Sequence, residues 1–135
     1  MTRYVIDAPT LLHLVARGVA VNPRHQIVAP SLIRSQALTL LLDAVRRGDL
    51  TDAEALAYHE RITEMKMRLL GDRMSRKTAF KMARQQGWES TYEAEYLAVV
   101  KLQADALVTI DPAMIAKADG IVTLAAFDVL SGEHD

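Results

Sequence analysis

The chain has 135 residues, of which half are hydrophobic and 24% are charged, a mixture typical of a single globular domain. It contains no cysteine, so disulfides, zinc–thiolate sites and thiol nucleophiles are excluded. The net charge of −1 hides an asymmetry, because residues 61–84 carry eight basic and two acidic side chains, a net +6, and the rest of the chain therefore carries −7.

Short apolar runs alternate with segments of helical periodicity along the chain. In chain order, the patterns predict a strand at 4–6, a helix at 8–17, a strand at 26–29, helices at 31–47, 51–70, 75–86 and 90–103, a strand at 106–110, a short helix at 112–117 and a strand at 121–124. Cap residues mark several boundaries, among them Gly48, Gly87 and a capping box of Thr51 with Glu54. Short, nearly all-apolar strands separated by helices are typical of a parallel α/β sheet with helices on both faces.

The domain organisation is predicted to be simple. We expect one domain over residues 1–135, with a frayed tail from about residue 131. No apolar run reaches the roughly 20 residues that a membrane span needs, and the first residues lead into a strand without a signal-peptide pattern. We therefore expect a cytoplasmic protein that does not enter a membrane.

Two aspartates, Asp7 and Asp111, each end a predicted strand and precede a predicted helix. The carboxyl ends of parallel strands lie together at one edge of the sheet, where open α/β sheets bind ligands. Each aspartate could instead be a helix N-cap, and Pro112 at the first helical position favours that reading for Asp111. Capping does not explain the shared strand-end location, so the pair predicts a divalent-metal site.

Glu93 is a third candidate ligand. It lies near the start of the helix at 90–103, which leads directly into the strand that Asp111 ends. The alternative is a second capping box, in which Glu93 bonds back to the backbone at Ser90.

Four blocks in this order resemble those of PIN domains, and more narrowly those of VapC-type toxin ribonucleases from bacterial toxin–antitoxin pairs. The blocks are 4–8, 29–32, 92–98 and 107–111, and the resemblance extends over residues 3–124. It implies a three-layer α/β sandwich, with a short parallel sheet of four or five strands flanked by helices. It also implies a Mg²⁺- or Mn²⁺-dependent endoribonuclease whose metal is held by a cluster of four acidic positions.

The resemblance assigns site residues position by position. Asp7 matches the first acidic position, Asp111 matches the last, and Glu93 stands where the family usually has Asp. Thr109 matches a hydroxyl residue that is often found beside the last Asp. Gln36 stands at the second acidic position, where it offers a carbonyl oxygen without a charge. Three carboxylates would still bind one metal ion, whereas a second ion would be harder to hold.

The implied partners follow from the same resemblance. RNA would be the substrate, with its phosphates held by Arg76, Lys77 and Arg84 of the basic segment, unless that segment is only a solvated helix face. A small antitoxin protein would lie in a groove that the helix at 51–70 helps to form, unless that apolar face is core. A homodimer is also implied.

Two other functions remain as alternatives. The chain could be a weakened or inactive PIN-like module that binds RNA or a protein, because Gln36 replaces an acidic residue. It could also transfer phosphoryl groups through Asp7 as nucleophile. That reading is disfavoured because the haloacid-dehalogenase pattern needs a second Asp where Pro9 stands.

Overall fold

A computed structural model describes residues 1–132, which form five strands and six α-helices. In chain order they are β1 (Thr2–Ile6), α1 (Ala8–Ala16), β2 (His25–Pro30), α2 (Ile33–Arg47), α3 (Asp52–Glu64), β3 (Arg68–Leu70), α4 (Arg73–Gln86), α5 (Tyr92–Gln103), β4 (Ala106–Val108), α6 (Pro112–Ala118) and β5 (Leu124–Ala125). A 3₁₀ helix at Phe127–Leu130 follows. The predicted α/β fold class is confirmed.

The five strands form one parallel sheet in the order β3-β2-β1-β4-β5. β1 lies in the middle, where Tyr4 is opposite Ile27 of β2 on one side and Ala106 of β4 on the other. Helices flank the sheet in a three-layer arrangement, with α1, α2 and α3 packed together and α5 lying against β1, β2 and β4. The chain changes direction across the sheet between β1 and β4, so a crevice is expected at their carboxyl ends.

Burial explains why the central strands read as continuous apolar runs. Val5, Ile6, Leu107 and Val108 are completely buried, because helices cover both faces of the sheet. α5 is buried along most of its length, since it lies between the sheet on one side and α4 on the other. The carboxyl ends of β1 and β4 are therefore completely buried.

The predicted helix at 51–70 is correct at its start and wrong at its end. The capping box forms, with the Glu54 N–H donating to Thr51 Oγ1 at 3.1 Å and the Thr51 N–H donating to Glu54 Oε1 at 2.9 Å. The helix ends at Glu64, and Arg68–Leu70 form β3 instead. Pairing with the free edge of β2 outweighs the local helix preference of this segment.

Smaller differences occur at other element ends. β4 ends at Val108, two residues before the predicted end, and the last strand is Leu124–Ala125 rather than 121–124. Within the predicted frayed tail, the Gly132 carbonyl accepts a hydrogen bond from Asn22 Nδ2 at 3.0 Å. Residues 133–135 of that tail lie outside the described residues. Within residues 1–132, no helix is long and apolar enough to cross a membrane.

Candidate functional site

A cavity of about 550 Å³ opens at the carboxyl ends of β1 and β4. Four of the predicted site residues line it together: Asp7, Gln36, Glu93 and Asp111. A cavity of about 680 Å³ lies elsewhere, beside residues that begin β2 and β3, and no carboxylate is among its lining residues. The smaller cavity is therefore the one whose chemistry matches the predicted site.

Asp7 is both a helix cap and a buried acid. Its Oδ1 accepts hydrogen bonds from the Thr10 hydroxyl and, at 3.2 Å, from the Thr10 N–H, while its Oδ2 accepts one from the Thr109 hydroxyl at 2.7 Å. The side chain is almost completely buried. Burial raises the pKa of Asp7 above its usual range, the hydrogen bonds from the two threonines oppose that rise, and the nearby charge of Asp111 adds to it.

Asp111 lies beside Asp7 and is linked to it through Thr109. The Asp111 N–H donates to Thr109 Oγ1 at 3.1 Å, and that same hydroxyl donates to Asp7. Asp111 also caps α6, because its Oδ1 accepts from the Ala113 N–H at 3.0 Å. The capping alternative is thus confirmed for both aspartates, and it coexists with their predicted meeting at the sheet edge.

Glu93 faces the cavity but is held by a cation from α6. Lys117 Nζ lies 2.7 Å from Glu93 Oε1, and it also lies 5.4 Å from the centre of the Trp88 ring. The alternative for Glu93, a capping box with Ser90, does not form, because α5 begins at Tyr92 without a side-chain cap. Sequence reasoning missed Lys117, since no local pattern reveals which helix faces Glu93.

Gln36 occupies the fourth corner of the site and is held by a tyrosine. The Tyr96 hydroxyl donates to Gln36 Oε1 at 2.6 Å. Tyr96 is buried, and this burial raises its pKa further above the already high value of a free tyrosine. Tyr96 is therefore a permanent neutral donor at neutral pH, and it fixes the side chain that stands at the expected acidic position.

The side chains of the site provide close to the smallest number of carboxylates that usually holds a divalent cation. Within residues 1–132, no three His, Cys, Asp or Glu side chains lie close enough together to hold a metal ion. Asp7 and Asp111 remain as a neighbouring pair, and Mg²⁺ is usually held by one or two carboxylates with waters and substrate phosphate oxygens. A cation would also offset the cost of burying the charge of Asp7.

The predicted RNA-binding residues Arg76, Lys77 and Arg84 all lie on α4 and are exposed, and none of them lines the cavity. A Cβ built on Gly71 would lie 3.3 Å from Ser31 Oγ and 3.8 Å from the Arg76 guanidinium. Arg76 is therefore close to the start of α2, whose next turn forms one wall of the cavity.

Comparison with known proteins adds information on the fold. No family model matches the chain, and no curated protein matches it. The crystal structure of PAE2754 from Pyrobaculum aerophilum is similar, with a TM-score of 0.74 and 22% sequence identity over 96% of this chain and 92% of that chain. This similarity supports the α/β architecture with a five-stranded parallel sheet and, at that level of identity, speaks for the fold alone.

Proposed function

We propose that the chain is a metal-dependent ribonuclease of the PIN type, which hydrolyses phosphodiester bonds in RNA as the toxin of a toxin–antitoxin pair. One observation carries the proposal: Asp7 and Asp111 meet at the switch point of a parallel sheet, in a cavity that Glu93 also lines. Helix capping explains why each of the two positions is an aspartate, but it does not explain why both side chains face one cavity.

Each residue has a distinct role in the proposed reaction. Asp7 and Asp111 would hold Mg²⁺ or Mn²⁺, which when bound supplies a water of lowered pKa and polarises the phosphoryl oxygen. Thr109 orients the Asp7 carboxylate and the Asp111 backbone, since its hydroxyl donates to Asp7 Oδ2 and accepts from the Asp111 N–H. Glu93 would coordinate the metal ion only after its ion pair with Lys117 breaks, so Lys117 and the metal ion would compete for this carboxylate.

RNA and an antitoxin protein are the partners that a toxin ribonuclease would bind. Arg76, Lys77 and Arg84 would contact RNA phosphates, which positions the strand without reading its sequence. An antitoxin would lie along α3, where the Leu56 side chain is 65% exposed although Ile62 on the same helix is buried in the core. The protein would form a homodimer and act in the cytoplasm.

A second function is favoured by two contacts in the cavity wall. The Gln36 carbonyl oxygen is already accepting from Tyr96, and Glu93 is already paired with Lys117. A site in which Gln36 is held by a tyrosine and Glu93 is neutralised by a lysine would suit a weakened or inactive module that binds RNA or a protein.

Cleavage of a fluorophore-quencher RNA in the presence of Mn²⁺ tests the proposal. We expect the wild-type chain to cut the RNA, chelation to stop it, and Asp7→Asn to abolish it without loss of the circular dichroism spectrum. Asp49→Asn is the matched control, because Asp49 is an exposed aspartate just beyond the far end of α2, where it pairs with Arg47.

Two results would contradict the ribonuclease. Undiminished cleavage by Asp7→Asn would show that another residue or a contaminant cuts the RNA. A calorimetric titration without heat at millimolar Mn²⁺ would favour the inactive module.

A further inference from the structure

α4 carries charge of one sign only. Its 14 residues include five basic side chains and no acidic one. The basic residues are Arg73, Arg76, Lys77, Lys81 and Arg84, and all five are exposed. The opposite face of the helix packs into the molecule through Ser75, Ala79, Met82 and Ala83.

An aromatic ring lies in the middle of this basic face. Phe80 is 64% exposed, an unusual position for a large apolar ring. Helical spacing places it beside Arg76 at i−4, Lys77 at i−3 and Arg84 at i+4. The face therefore alternates cations with an exposed aromatic ring, as surfaces that bind single-stranded nucleic acid do.

Within residues 1–132, the basic side chains of α4 form no ion pair and the Phe80 ring makes no ring or cation–π contact. In the described part of the chain, the ion pairs join Arg47 with Asp49 and Lys117 with Glu93, so the basic side chains of α4 make none. Across residues 1–132, the ring contacts and cation–π contacts involve other aromatic residues, so the faces of Phe80 are not engaged. The α4 face is thus available for an anionic ligand with flat apolar groups.

Each end of α4 is linked to the cavity wall through one intervening residue, although α4 itself does not line the cavity. At the first end, the Arg76 guanidinium lies near Ser31, and the next residue, Leu32, lines the cavity. At the second end, Trp88 follows α4 and lies under Lys117, which holds Glu93 of the cavity wall. A strand bound along α4 would therefore lie next to the candidate site.

We propose that this face is a docking surface for single-stranded RNA, in which Phe80 stacks on a base while the flanking Arg76, Lys77 and Arg84 bind the adjoining phosphates. The inference rests on the proposed function for the identity of the polymer and adds how it is held. Single-stranded RNA is favoured over duplex, because paired bases are stacked on each other and cannot cover the ring. An acidic protein would satisfy the cations but would leave the ring without a flat partner.

The test is fluorescence anisotropy with a labelled oligouridylate of about 12 nucleotides, within the range of site sizes for such surfaces. The binding protein is the full chain with Asp7→Asn, which keeps the RNA uncut. We expect Phe80→Ala to weaken binding roughly five- to 150-fold, the equivalent of one lost base stack, and Phe80→Trp to restore it. Met74→Ala is the matched control, because Met74 is 59% exposed on the same helix and offers no ring.

Salt dependence separates the two kinds of contact. Arg84→Gln should reduce the slope of log affinity against log salt by about 0.7, the value for one phosphate contact on a single strand. Phe80→Ala should leave that slope unchanged, because stacking releases no counterions.

Three outcomes would overturn the proposal. The first is unchanged RNA affinity in Phe80→Ala, and the second is displacement of the RNA by polyglutamate with the same dependence on Phe80. The third is that Phe80→Ala forms a smaller assembly than the wild type on light scattering and still binds RNA. The last would make the face a contact between copies of the chain. Failure of the ribonuclease proposal alone would give a different result: the wild-type chain would still bind RNA through Phe80 but would not cut it.

Discussion

Replacing Thr109 with valine tests whether one hydroxyl joins the two aspartates of the site. The Thr109 hydroxyl donates to Asp7 Oδ2 at 2.7 Å and accepts from the Asp111 N–H at 3.1 Å. A hydrogen bond to a charged group contributes about 1.5–3 kcal/mol, and water can partly replace the second bond because Thr109 is partly exposed. We expect Thr109→Val to lower the free energy of unfolding by about 2–3 kcal/mol at neutral pH.

Acid should reduce this loss. Once Asp7 is protonated, the lost bond is one between neutral groups, which contributes about 0.5–1.5 kcal/mol. Urea unfolding at neutral pH and in mildly acidic buffer measures both values. Thr109→Ser keeps the hydroxyl and removes one methyl group, so it should cost less than about 1 kcal/mol. Equal losses for Val and Ser, or a loss for Val that does not change with pH, would refute the reasoning.

Three further predictions concern the other corners of the cavity. Asp7→Asn should stabilise the fold at neutral pH by on the order of 1 kcal/mol. Because burial raises the pKa of Asp7 in the folded state, wild-type stability falls as pH rises through that pKa, so the advantage of Asn should vanish in acid; a urea series across pH that gave parallel curves would contradict this. Gln36→Glu should tighten Mn²⁺ binding about tenfold by calorimetry, since a charge replaces an amide oxygen; no change would mean that the side chain does not reach the ion. Lys117→Gln should cost only about 0.5–1 kcal/mol, because the pair with Glu93 is about one-third exposed, and a double-mutant cycle with Glu93→Gln measures that coupling; a coupling of zero would show that the pair does not form in solution.

Local sequence signals predicted the elements that local chemistry determines. The Thr51 capping box and the glycines at 48 and 87 mark ends that the structure confirms. β3 could not be predicted, because Arg68–Leu70 is a short, partly exposed edge strand whose existence depends on pairing with β2. Its residues have ordinary helix propensity, and only the tertiary contact decides between the two states.

The candidate site divides in the same way. The meeting of Asp7 and Asp111 follows from two strand ends in a parallel sheet, which is a topological argument that needs no side-chain detail. The contact of Tyr96 with Gln36 joins residues 60 positions apart and depends on the angle between two helices. The hold of Lys117 on Glu93 depends on the same kind of packing, so neither contact has a signal in the sequence.

The central place of β1 has a consequence for how the protein is made. Its neighbour β2 is synthesised early, whereas its other neighbour, β4, comes late, and Thr109 lies 102 positions after the Asp7 carboxylate to which it donates. Until β4 has emerged from the ribosome, the edge of β1 that pairs with β4 is unpaired, and Asp7 has neither Thr109 nor Asp111 beside it. A chain that ends before β4 therefore lacks the wall of the cavity that Asp111 and Met114 form. If the protein cuts RNA, it acquires that ability only after residues 109–111 have left the ribosome, so a shorter nascent chain does not expose its own message to a working site.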